Sequence, residues 1–195
     1  MEMVNVINNS PRSHLKFEEH VRKEFSFLTG LGFLEIESSP TLVRYQNSDI
    51  EVTVYHGRQS YEIGVGVTTF DTQYSISEIV RATDPEEFNN FRYPMTTTEE
   101  GVVSGLERLS SLLKRYGSKA LKGDQGFYLI LDEQRKQWTE EYALDVLVEQ
   151  LRPKANEAFR RKDYSSAVEL YSRIKERLSP AELKKLGVAK ERCND

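Results

Sequence analysis

The chain has 195 residues, 38% hydrophobic and 30% charged, with a net charge of −4; these proportions exclude a disordered polypeptide and suit one domain, or one domain plus an appendage. A single cysteine, Cys193, excludes an internal disulfide framework and a thiolate zinc cage, and points to a reducing compartment, the cytoplasm by default. Residues 1–100 carry 8 basic and 16 acidic side chains, net −8, whereas 101–195 carry 19 and 15, net +4, an asymmetry too modest to mark a dedicated nucleic-acid domain.

Along the chain, Leu15, Val21, Phe25 and Leu28 recur at helix-compatible spacing between Pro11 and Gly30, so 11–29 is expected to form an amphipathic helix. Four short segments follow, 33–38, 41–46, 50–56 and 60–68, separated by turn residues, and they predict an antiparallel meander. Ile50, Val52 and Val54 alternate to one face, as do Tyr61, Ile63, Val65 and Val67, leaving Glu51, Thr53, Glu62 and Thr68 on a wet face. The apolar face needs a cover, which the helix at 11–29 supplies in an α+β architecture. Gly64 and Gly66 share one face of the last strand and imply close approach of another element.

Beyond Phe70 the pattern turns helical: a short piece at 75–82, then a strong helix at 98–116 with Val102, Leu106, Leu109, Leu113 and Tyr116 as its stripe and Gly117 as its stop. Thr96 and Thr97, each followed three positions later by glutamate, predict a capping box at its start. Residues 124–136 fit a strand or a buried helix equally. A helix from Thr139 is expected to end near Leu151, with Pro153 opening the next one in its first turn.

The segment 155–174 supplies Ala155, Phe159, Asp163-Tyr164, Ala167 and Tyr171 in an order that resembles the tetratricopeptide repeat, a helix-turn-helix unit. The resemblance implies packing roles for these residues and a protein-binding use for the hairpin, expected over 153–178. Departures are Lys162 in place of a glycine, Ile174 in place of an alanine, Pro180 one residue late, and no complete second copy. One unit cannot bury its own face, so the hairpin is expected to dock on the domain or to be completed by a partner. The N-terminal two thirds, through Phe25-Ser26-Phe27-Leu28, Val52-Thr53-Val54-Tyr55 and Arg58-Gln59-Ser60-Tyr61-Glu62-Ile63, resemble a group of small uncharacterised bacterial proteins, which implies an immunity or accessory role. The expected domains are 1–120, α+β with an N-terminal helix on a four-stranded antiparallel meander, and 121–195, helical.

The sequence lacks the nucleophile elbow, the phosphate-binding glycine loop, the zincin helix motif and paired cysteines. His14 and His20 stand six apart and share no helix face as metal ligands four apart would. No cofactor, metal or membrane span is expected; no window approaches 18 apolar residues, and no signal peptide stands at the N-terminus. The most chemically varied cluster is Tyr55, His56, Arg58, Tyr61 and Glu62 around Gly57. It reads either as a recognition tip, with the Arg58 fork and rigid tyrosines, or as a solvated hairpin turn. Glu35, Glu37, Glu51 and Glu62 read as a solvated acidic face, since an acid/base pair needs burial. Arg160-Arg161-Lys162 suits the end of a helix. Together with Asn156 and Tyr171 of the repeat-like hairpin, the turn cluster forms the candidate partner-binding set. The expected function is a non-enzymatic module that binds a partner protein; the alternative is a nucleic-acid-associated accessory protein using the basic C-terminal half.

Overall fold

The computed structural model describes residues 12–70 and 72–193; Pro11, expected in the first helical turn, lies outside them. The fold is α+β, and the chain divides into two compact units, residues 1–133 and 134–195.

In the first unit, the expected single N-terminal helix is broken into a 3-10 turn, Ser13–Leu15, and helices α1, Phe17–Glu24, and α2, Phe27–Gly30. The breaks have a packing cause. Leu15 and Phe17 are both buried although two positions apart, which a straight helix cannot arrange, and Lys16 between them takes a left-handed φ of 45°. A second kink at Phe25 lets Phe25 and Leu28 also point inward.

Among the described residues the sheet has five strands, not four, in the order β1-β2-β3-β4-β5, all antiparallel: β1 Leu34–Ser39, β2 Leu42–Asn47, β3 Ile50–His56, β4 Ile63–Thr69 and β5 Thr72–Ser75. The fifth strand escaped the sequence reading because only Tyr74 of its four residues is buried, too little alternation to register. Val52 pairs with Val67 and Val54 with Val65, which puts these buried valines on the expected face. Tyr61 is an exception: its φ of 55° takes it out of the strand, and β4 starts at Ile63. The opposite face is less wet than its composition suggests. The Tyr55 ring lies on Gly64 and the Gln73 amide on Gly66, so closely that a β-carbon at either glycine would stand 2.2 or 2.4 Å from those side chains. Thr53 is buried there and donates to Glu51 Oε1 at 2.9 Å, while Arg44 bridges Glu37 and Glu51. Glu35 is held bidentately by Arg22 of α1.

Helix α3, Ile76–Thr83, opens with the reciprocal capping box of Ser75 and Glu78, and α4, Pro85–Asn90, with Asp84 as its cap. Helix α5, Glu99–Tyr116, runs as expected, but its cap is Thr98, which accepts from Gly101 N; with glycine at that position the predicted capping box does not form. Its stripe of Val102, Leu106, Leu109 and Leu113 is fully buried. Ser110 donates to the Glu24 carbonyl at 2.6 Å, satisfying an acceptor that the end of α1 leaves open. A short α6, Ser118–Leu121, follows.

Of residues 124–136 all but Asp124 are helical, and Pro153 breaks nothing: α7, Gln125–Arg160, is one helix of 36 residues with the proline inside it. Pro153 and Glu149, whose carbonyl loses its donor, are both exposed, so water can serve that carbonyl. At the other end Phe127, Tyr128 and Leu131 join the core of the first unit. In the second unit, the last turns of α7 pack against α8, Tyr164–Arg173, which Asp163 caps. A third helix, α9, Pro180–Cys193, covers this hairpin, so that Leu186 and Ala189 share a buried cluster with Ala155, Ala167 and Tyr171. Ser179 and Glu182 form a reciprocal capping box at the start of α9, with the proline at the first helical position.

Candidate functional site

The turn cluster sits where β3 hands over to β4. Gly57 N donates to Glu62 O at 2.7 Å and Tyr61 N to Gly57 O at 3.0 Å, closing the loop on itself. Gly57 lets Ser60 Oγ lie close to its backbone: a β-carbon there would stand 2.3 Å from that oxygen and the exposed serine would have to turn away. A second segment braces the loop: Thr96 N donates to Tyr61 O at 3.0 Å, Ile63 N to Pro94 O at 2.8 Å, and Glu62 and Met95 form a β-bridge.

Arg12 clamps the loop from the N-terminal side. Its guanidinium donates to Gly57 O at 2.8 Å and to Arg58 O, lies 3.3 Å from His56 Nδ1, and stacks 4.4 Å over the Tyr61 ring. Beneath it, His56 is 1% exposed, stacked on Phe17 at 5.9 Å, with Nε2 3.0 Å from Thr96 O. A guanidinium can only donate, so Nδ1 is the acceptor and Nε2 carries the proton that goes to Thr96 O. Burial, reinforced by the Arg12 charge, pushes the imidazole pKa down, against the opposing pull of the Thr96 carbonyl. His56 is therefore a neutral structural pin with both nitrogens engaged, and the expected solvated turn holds only for its outer residues. Tyr55 donates to Glu62 Oε1 at 3.3 Å, and burial together with that carboxylate raises its hydroxyl to about 12.

The large side chains that remain outward on this fixed backbone include Arg58, which is exposed, Tyr61, 41% exposed, and Met95, 68% exposed, with Gln59 and Ser60 exposed between Arg58 and Tyr61. The structure thus brings together Tyr55, His56, Arg58, Tyr61 and Glu62. Asn156 and Tyr171 belong to the second unit. There the buried Tyr171 hydroxyl donates to Asn156 Oδ1 at 2.8 Å, and Lys185 Nζ reaches the same oxygen at 2.6 Å. Sequence reasoning missed Arg12, Met95 and Thr96: they lie 44 and about 40 positions from His56, and no periodic signal marks contacts of that range.

His14 is exposed and His20 contacts Glu99 Oε1 at 3.0 Å. Among the described residues no group of three or more His, Cys, Asp or Glu side chains is arranged to hold a metal ion, and no helix is long and apolar enough to cross a membrane. No protein-family model, no curated protein sequence and no solved structure matches the chain.

Proposed function

We propose that the chain is a non-enzymatic protein-binding module whose contact surface is the tip formed by Arg58, Tyr61 and Met95. The observation that carries this reading is the contrast between backbone and side chains at the tip. The loop is tied by its own hydrogen bonds, by the 94–96 segment and by Arg12, while those three side chains point outward. Ordering a loop on binding costs affinity, and a loop already ordered avoids that cost. Arginine, tyrosine and methionine are also the residue types enriched in interface centres. The N-terminal two thirds resemble a group of small uncharacterised bacterial proteins, and the immunity or accessory role expected of such proteins fits a stoichiometric partner that the module inhibits or scaffolds.

The test is a tagged pull-down from the native host at moderate salt, with mass spectrometry and the 260/280 nm ratio of the eluate. A stoichiometric protein lost with Arg58→Ala or Met95→Ala, both at exposed positions, is the expected result. A partner retained by both variants refutes the tip. An eluate rich in nucleic acid, and shed steeply with salt, establishes the nucleic-acid alternative instead.

A further inference from the structure

A second feature of the first unit is independent of the tip. A cleft of about 570 Å³ opens between α2, the β2–β3 turn and the α5–α6 corner, within the size range of small-molecule sites. Phe27, Leu31, Ile50 and Leu121 give it apolar walls, and Lys114 and Lys122 stand among the lining residues. Neither ammonium has an ion-pair partner among the described residues; Lys114 Nζ instead lies 4.8 Å over the Phe27 ring. From Lys114 to Gly123 the chain holds four cationic side chains and no acidic one, within a unit whose first 100 residues are strongly acidic. Asp49, the nearest acid of the β2–β3 turn, does not line the cleft.

An apolar wall beside uncompensated ammonium groups is complementary to a ligand with an apolar body and one anionic end. We propose that this cleft binds a free medium-chain carboxylate, the chain against Phe27, Leu31 and Leu121 and the carboxylate between Lys114 and Lys122. A cationic amphiphile would meet the lysines with like charge, and a small anion would leave the apolar walls wet, so head and tail are both required.

Titration of the full chain by calorimetry with sodium dodecanoate, kept below its micelle concentration, tests this. The expected result is saturable one-to-one binding, no comparable binding of dodecyltrimethylammonium or acetate, and amide NMR shifts confined to the cleft. Replacing both exposed lysines, Lys114→Gln with Lys122→Gln, weakens binding about tenfold, as two exposed ion pairs allow. Ser118→Trp, at an exposed lining position, blocks the cleft. Equal binding of the two amphiphiles, unchanged affinity in the double variant, or absence of saturation overturns the proposal. So does association only with phosphatidylglycerol vesicles, which would move the site from a free carboxylate to a membrane surface.

Discussion

Arg12→Ala removes the clamp of the tip, and its cost follows from what each contact faces. The carbonyls of Gly57 and Arg58 lie at an exposed turn, where water replaces the lost donor cheaply. His56 Nδ1 is different, because it sits on a residue 1% exposed and loses the donor at 3.3 Å. An unsatisfied buried acceptor costs about 1–3 kcal/mol, and loss of the guanidinium from the Tyr61 face adds about 0.5–1 kcal/mol. The sum, about 1.5–4 kcal/mol, is within reach of urea denaturation followed by circular dichroism. The same change loosens the loop, so hydrogen exchange at the Gly57 and Tyr61 amides should accelerate about tenfold or more while the β3–β4 ladder amides slow or quicken only with global stability. Arg12→Lys restores at most part of the effect, since an ammonium cannot reach two carbonyls and a ring nitrogen in one plane. A loss below about 0.5 kcal/mol with unchanged exchange at both amides would refute the clamp, because a buried acceptor cannot lose its donor so cheaply.

Gly64→Ala should destabilise by about 1–3 kcal/mol through overpacking against the Tyr55 ring, and much of that loss should vanish in the Tyr55→Ala background; strict additivity in the urea-measured cycle would disprove the close approach. The depressed pKa of His56 means that the unfolded chain takes up its proton first as pH falls. Its contribution is full above the ordinary imidazole value and is lost as pH drops through that value toward the folded one, so thermal scans from pH 7.5 to 5.5 should fall more steeply for the native chain than for His56→Gln. At Glu182, burial pushes the carboxyl up, but the Ser179 hydrogen bonds and the Arg152 charge prevail and leave it low. This contribution is present above the ordinary carboxylate value and disappears as pH falls through the folded pKa. Ser179→Ala, which costs about 1 kcal/mol as a lost cap, should therefore matter less in acid than at neutral pH.

The parts of the fold that were legible are those whose signal is local and repeated. Val52, Val54, Val65 and Val67 alternate over enough positions to give both the strand pair and its buried face, and α5 shows its stripe over five turns. Where the signal was short or shared, reading failed. The capping-box pattern points to Thr96 or Thr97, each with a glutamate three positions on, whereas the cap is Thr98, which has Gly101 there and leaves no such pattern to read. The sequence predicts a helix ending near Leu151 and another opening at Pro153, yet on the exposed side of α7 the carbonyl the proline leaves free faces water and one helix runs through. The tip was legible as a set of residues and illegible as a mechanism. Gly57 and the residues beside it announce a turn, whereas the order of that turn comes from Arg12 and Thr96, distant in sequence and near in space.

The same distinction bears on which surface is left for recognition. A lone repeat-like hairpin was expected to need a cover, supplied either by the rest of the chain or by a partner. The second unit contains that cover in α9: Leu186 and Ala189 close over Ala155, Ala167 and Tyr171. Tyr171 and Lys185 both bond Asn156 Oδ1 inside the unit, and because Tyr171 is fully buried a partner would have to displace α9 to reach it. Displacing it would expose a buried tyrosine and break the Ser179–Glu182 cap, a cost of several kcal/mol that the tip does not carry. Arg58, Tyr61 and Met95 are already outward on a fixed backbone, so a partner at the proposed tip would need no prior opening of the fold.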